Sequence, residues 1–382
     1  MGTGAPESSR FDPSGTESAA PTMIEFWTRP PAKWDSLKPT SENTGMQTNE
    51  AASDRHDSNL PAEHPFVSII ISTSGLRPML ERCLEGLTDQ ANQYLNAEII
   101  VVLNGPENPA FARAVSRFPV TLLNEPRRGV SFARNHAVAR ARGDILVFVD
   151  DDVLIAPNWL KEIVKGFEDP AVCCVTGRVI PAGTLSLTAE RYARYYSSKR
   201  ALTPWTLDAS DPKWYQYMLG EPVGFGCNMA FRKTFLRNYS LFPPDLGAGS
   251  LIGGGDEVYM YVQVLKNGFR IRHVPRAAVT HVFDADTDKQ KARATQLYAG
   301  CVAFALRMFV EEKTLRLETA RWMLSALKRR ARRIWQNKTI TSEPQELLTP
   351  GEKFCAYLCG LGVYWKSRRT RSSTGKAREE PT

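Results

Sequence analysis

Three short apolar runs constrain this chain most: Val67–Ser72 (VSIIIS), Glu98–Leu103 (EIIVVL) and Ile145–Val149 (ILVFV). Each is apolar at consecutive rather than alternate positions and rich in β-branched residues. That is the pattern of a strand buried on both faces, as in a parallel sheet covered by helices. The intervening text fits. Leu80, Leu84 and Leu87 share one helical face behind Pro78, and Val120–Leu123 reads as a further strand. Ser131 is placed to cap a second helix ending at Gly143. Strand–helix alternation at this pitch predicts an α/β fold with a mostly parallel central sheet, flanking helices and right-handed crossovers. Such sheets bind ligands beyond the carboxyl ends of their strands. Attention therefore falls on Ser72–Ser74, on Asn104 and on Asp150–Val153.

Asp150, Asp151 and Asp152 follow the strand ILVFV directly, and Val153-Leu154-Ile155 follows them. Three adjacent carboxylates repel one another, and between two apolar segments they are costly unless a cation offsets them. Oxygen ligands at a strand end suit Mg²⁺ or Mn²⁺ shared with a diphosphate. A solvated acidic turn would be the blander explanation, but the apolar flanks argue against it. Further on, Gly253-Gly254-Gly255 precedes Asp256 and Glu257. Glycines let backbone and ligand approach closely, and two carboxylates there are candidates for proton transfer or for a helix N-terminus.

These pieces, taken in order, resemble family 2 glycosyltransferases. The matching stretches are VSIIIST with Arg77-Pro78, EIIVV followed by Asn104-Gly105, Gly129–Asn135 (GVSFARN), the aspartate triplet, Gly226–Arg232 (GCNMAFR) and Gly253–Glu257. The resemblance spans roughly Phe66 to Phe283. It implies the GT-A fold, a Rossmann-like nucleotide-diphospho-sugar transferase architecture, and inverting transfer from a nucleotide-diphosphate sugar donor. It further implies donor contacts from Ser72, Asn104, Arg134, Asn135, Asp150 and Asp151, and a divalent cation, Mn²⁺ or Mg²⁺, on Asp152 with His281 as a further ligand. Asp256 falls at the general base, with Glu257 beside it. Two positions depart from the family pattern. Leu103-Asn104 stands where an acidic pair is usual, and Gly255 stands where a Glu often precedes the base.

Residues 1–63, with five Lys/Arg against ten Asp/Glu and little hydrophobic periodicity, are expected to be disordered. Residues 64–285 are expected to form the catalytic domain. Residues 286–382 are expected to be a basic amphipathic helical region with a disordered tail. Within it, Leu297–Arg333 reads as one helix and Lys353–Arg369 as another. Sixteen Lys/Arg against six Asp/Glu after residue 312 point to an acidic partner such as an anionic membrane surface. No nucleic-acid module accompanies the charge. Arg270–His281 reads as a hairpin or strand pair.

The absence of a long apolar run or of a leader pattern predicts a cytoplasmic chain, peripheral at the inner face of the plasma membrane at most. The seven cysteines show no metal-binding spacing. The acceptor expected is a glycan or a lipid-linked molecule. Two rivals are a Rossmann-like nucleotidyltransferase and a non-catalytic membrane-associated scaffold. The first lacks a convincing glycine- and arginine-rich loop after its first strand. The second does not explain the intact aspartates.

Overall fold

The computed structural model describes residues 64–182, 199–211, 214–215, 223–282, 287–335 and 348–376. The segment expected to be disordered, 1–63, lies outside them. The strands are β1 (Val67–Thr73), β2 (Ala97–Asn104), β3 (Thr121–Glu125), β4 (Ile145–Asp150), β5 (Val153–Ile155), β6 (Val172–Ala182), β7 (Trp205–Leu207), β8 (Asn228–Arg232) and β9 (Arg270–Val282). The helices are α1 (Leu80–Tyr94), α2 (Pro109–Val115), α3 (Val130–Arg140), α4 (Trp159–Lys165), α5 (Lys199–Leu202), α6 (Lys233–Asn238), α7 (Asp256–Lys266), α8 (Thr287–Glu311), α9 (Arg316–Trp335) and α10 (Pro350–Lys376).

One sheet orders these strands β3-β2-β1-β4-β8-β6-β9-β5, with β7 on β9. The first four are mutually parallel. β8 is antiparallel to both β4 and β6, and β6 and β9 are parallel again. Consecutive apolar residues serve two cores, as the sequence runs require. Ile69, Ile71, Val101, Val147 and Val149 meet Leu80, Leu84 and Leu87 of α1 on one face. Ile70, Val102, Leu146 and Phe148 meet Ala133 and Ala137 of α3, Met260 of α7 and Phe304 of α8 on the other. The result is a three-layer α/β/α arrangement.

Three local expectations are corrected. Arg270–Val282 is one thirteen-residue strand, not a hairpin, because it pairs with β6 on one side and with β5 and β7 on the other. The helix read over Leu297–Arg333 breaks at Glu312, whose carboxylate is taken by Tyr259, Gln263 and Lys266 of α7. Arg316 then donates to the carbonyls of Phe309 and Val310 that end α8. Ser131 does not cap α3. Gly129 occupies that position with φ 129°, and the Ser131 hydroxyl donates to the Leu246 carbonyl at 2.9 Å.

Candidate active site

Parallel pairing fixes which residues share the sheet's carboxyl edge. Ser72 stands between Val102 and Asp150 in register, and Thr73 beside Leu103. The chain turns at Asp151 and Asp152 and re-enters as β5, where Val153 pairs with His281 of β9. The Val282 N–H donates to the Asp152 carbonyl at 3.0 Å. That pairing carries His281 to the aspartates from far along the chain.

The three aspartates differ in their surroundings. Asp151 accepts from the Thr73 hydroxyl, yet burial and the charges of its two neighbours push its carboxyl up to about 6. Burial and the Asp150 charge push Asp152 up to about 7. The Asp152 carboxylate lies 3.4 Å from His281 Nε2. Burial lowers the His281 pKa, which favours the neutral imidazole a metal requires. Ligand atoms of Asp150, Cys227 and His281 all lie within 4.8 Å of one another. Cys227 is a soft donor, but burial followed by the nearby carboxylates raises its pKa well above the usual value and keeps it a thiol. Carboxylate plus neutral imidazole therefore fits Mn²⁺ or Mg²⁺, and the imidazole favours Mn²⁺. Asp150, Asp152 and His281 would hold it.

Arg134 joins this rim to a second acidic pair. It reaches in from α3 and is buried. It pairs with Asp256, approaches Asp150 at 3.5 Å and donates to the Gly226 carbonyl at 3.1 Å. Burial opposes its charge, but the carboxylates of Asp256, Asp150 and Glu257 outweigh that and raise its pKa. Asp256 opens α7 after Gly255, whose φ of 81° is left-handed and whose Cβ would sit 2.9 Å from the Phe304 ring. Gly247, at φ 89°, leaves room where a Cβ would lie 2.9 Å from the Asp256 carboxylate. The two glycines thus admit a buried aspartate between loop and helix. Asp256 is buried and Glu257 half-buried. Burial first, then the Asp256 charge, push Glu257 up to about 8.

The other expected donor residues have evident structural work. Asn104 donates to the carbonyls of Glu125 and Arg127 and accepts from the Gly129 N–H, which closes the loop between β3 and α3. Asn135 clasps both backbone polar groups of Phe242. Ser72 keeps a half-buried place beside Asp150, and its Oγ makes no hydrogen bond among the described residues. Sequence reasoning missed three contributors. Thr73 anchors Asp151, Cys227 lies beside Asp150 and His281, and Arg293, exposed on α8, acts electrostatically on Asp152 and His281. Cys227 lay within a matched stretch. Arg293 has no local signal, because only the packing of α8 brings it there. Trp205 stacks on His273 with ring centroids 5.2 Å apart, so its ring serves packing.

The molecule is of the α/β class, with acidic groups gathered at the carboxyl ends of parallel strands. Residues 68–240 match the family model described as glycosyl transferase family 2. That match takes in 173 of the chain's 382 residues, and over them the chain is similar to the family. Among its relatives, glycosyltransferase AglE of Haloferax volcanii is 30% identical over 137 residues, 34% of this chain and 44% of that protein. An N-acetylglucosaminyltransferase of Rhizobium meliloti is 25% identical over 228 residues, 57% of this chain and 51% of that one. The chain thus spans about half or less of the relatives it matches. The solved structure of mannosyltransferase PcManGT from Pyrobaculum calidifontis, in complex with GDP-Man and Mn²⁺, aligns with a TM-score of 0.48 and 18% identity. That alignment covers 80% of this chain and 88% of that one.

Proposed function

We propose that the protein is a divalent-metal-dependent, inverting glycosyltransferase. It moves a sugar from a nucleotide-diphosphate donor to a hydroxyl of a glycan or lipid-linked acceptor, at the anionic face of a membrane. The observation that carries the proposal is Arg134, which touches both the Asp150 rim and the Asp256–Glu257 pair and so holds a cation-seeking site and a proton-seeking site in one wall. A bound Mn²⁺ or Mg²⁺ would stabilise charge on the departing diphosphate. Asp150, Asp152 and His281 fix where that charge develops, and Thr73 holds Asp151 in place. As the acceptor oxygen bonds to the anomeric carbon, the bond from that carbon to the diphosphate oxygen breaks with inversion, and the hydroxyl proton passes to a carboxylate.

Asp256 is the base that the family resemblance suggests, but the geometry favours its neighbour. The Asp256 carboxylate is buried and already paired with the Arg134 guanidinium. Glu257 is half-buried and has a raised proton affinity. In this reading Glu257 takes the proton and Asp256 fixes Arg134. A panel of nucleotide-sugars with Mn²⁺ identifies the donor by thermal stabilisation, and transfer is then measured for Glu257→Gln and Asp256→Asn. Glu257→Gln is expected to lower turnover by roughly 10²–10⁴-fold with donor affinity retained. An active Glu257→Gln beside an inactive, donor-binding Asp256→Asn would return the role to Asp256.

A further inference from the structure

Helix α10 is buried along one face and apolar along the opposite one. Its inner face (Ala356, Gly360, Tyr364, Ser367) is buried. It lies against α8 so closely that a Cβ on Gly360 would stand 2.5 Å from the Ala299 carbonyl. The outer face carries Phe354, Leu358, Leu361 and Trp365, which are 61%, 52%, 43% and 52% exposed. Their spacing of four, three and four residues confines them to an arc of about 60° on the helix. A helix on a protein surface ordinarily turns polar residues outward. Four large apolar side chains in one line form a patch rather than scattered exposure.

The neighbours of this stripe indicate what covers it. Arg368 and Arg369 continue the outer arc by one turn, and both are exposed, as is Lys366. The Arg368 guanidinium lies 5.5 Å over the Trp365 ring. An aromatic ring joined to cations at the end of an apolar stripe is the chemistry of a bilayer's interfacial zone. Glu352 is the single acidic residue of α10, and Lys291 already holds it at 2.8 Å. A second copy of this face therefore offers no negative charge to complement the arginines, whereas anionic lipid does. From Phe354 to Trp365 the stripe is about 16 Å long, against about 30 Å of hydrocarbon in a bilayer. No helix among the described residues is long and apolar enough to cross a membrane. A stripe of this length is suited to lying in the plane of a membrane rather than crossing it.

We infer that the outer face of α10 docks flat on an anionic lipid surface. The inference rests on the membrane placement proposed above, but not on the sugar chemistry. The inner side of the same helix supplies Ser367 and Arg371 to Asp245, in the loop that leads to Asp256. The docking plane is thereby tied through Asp245 to the loop ahead of the acidic pair.

Flotation of the full chain with phosphatidylcholine vesicles, with and without phosphatidylglycerol, tests the inference. Binding is expected only with the anionic lipid. The double change Leu358→Glu, Leu361→Glu is expected to weaken it about tenfold or more. Arg368→Ala with Arg369→Ala is expected to weaken it by a similar factor at low salt. All four residues are exposed, so melting temperatures should not move. Bromine-labelled lipid should quench part of the tryptophan emission, and Trp365→Phe should remove that part while preserving flotation. Three results would overturn the inference: no flotation on either vesicle, flotation indifferent to both double variants, or a dimer in solution that the leucine variant splits. Donor stabilisation by Mn²⁺ is read separately on the same variants, so a failure of docking and a failure of the transferase reading give different results.

Discussion

The aspartate triplet at the sheet's carboxyl edge and the buried Asp245 are treated by the chain in opposite ways. Asp245, in the loop before α7, is surrounded by cations of the chain's own making. Arg307 of α8 donates at 2.5 Å, the Ser367 hydroxyl of α10 at 2.7 Å, and Arg371 Nε lies at 3.2 Å. Of Asp150, Asp151 and Asp152, Asp150 alone approaches Arg134, which it shares with Asp256. Otherwise they meet a histidine whose pKa burial lowers and the more distant charges of Arg77 and Arg293. At Asp245 the negative charge is answered within the fold, and the aspartate is a strut between loop and helices. At the strand ends it is answered only in part, and burial together with the repulsion of neighbouring carboxylates raises the proton affinities of Asp151 and Asp152. A site of the second kind gains most from an added cation.

The sharpest way to break this comparison is Asp152→Ala. Turnover with Mn²⁺ should fall on the order of 10³-fold, as expected when a main electrostatic anchor at the departing charge is lost. The fold should be no weaker, because one like charge leaves a crowded rim. Transfer assays and thermal melting, each with and without Mn²⁺, check both halves. A variant that melts far below the parent would make the rim structural, and one that keeps its metal response would remove Asp152 from the cation site.

Asp245→Ala should do the reverse. It leaves buried Arg307 with only the more distant Glu311 carboxylate, at 3.4 Å, and losing one partner costs about 3–5 kcal/mol in comparable buried pairs. Urea unfolding should show a shift in midpoint with little change in slope. Mn²⁺-dependent donor binding by the folded fraction should persist. A loss under about 1 kcal/mol, the scale of an exposed pair, would mean that the aspartate is no strut.

The contrast also shows what a sequence carries. The aspartate triplet was legible because its anomaly is local: like charges stand side by side between apolar strands. The four parallel strands were legible for the same reason, with β1, β2, β3 and β4 ending within one or two residues of expectation. Asp245 was not legible. It is a lone aspartate in a proline- and glycine-rich loop, and its partners lie 62 and 122 residues away on helices that only tertiary packing brings together. The single strand over Arg270–Val282 was missed because its pairing with β5, β6 and β7 is set by topology rather than by its own alternation. Asn104 and Asn135 were expected at the donor. Their side chains hold backbone groups of the loops around the site, a role that residue type alone does not reveal.

The smallest expected effect concerns a carboxyl that shares the rim's shortage of cations. Asp256 has Arg134, whereas Glu257 beside it is pushed by burial and by the Asp256 charge up to about 8. A base must be ionised to accept a proton, so the competent fraction rises with pH through about 8. Raising the pH from about 7 to about 9 should therefore increase kcat/KM about tenfold, and Glu257→Gln should lose that limb along with most of its activity. Stability should move the other way. A carboxyl whose folded pKa lies above its ordinary 4.5 stabilises the fold while protonated. That contribution is full below 4.5 and lost as pH rises through about 8. The parent should accordingly melt lower at pH 9 than at pH 6, and Glu257→Gln should show a smaller difference. An unchanged pH profile of melting in the variant would place the raised proton affinity elsewhere, and a flat kcat/KM profile in the parent would take the base assignment from Glu257.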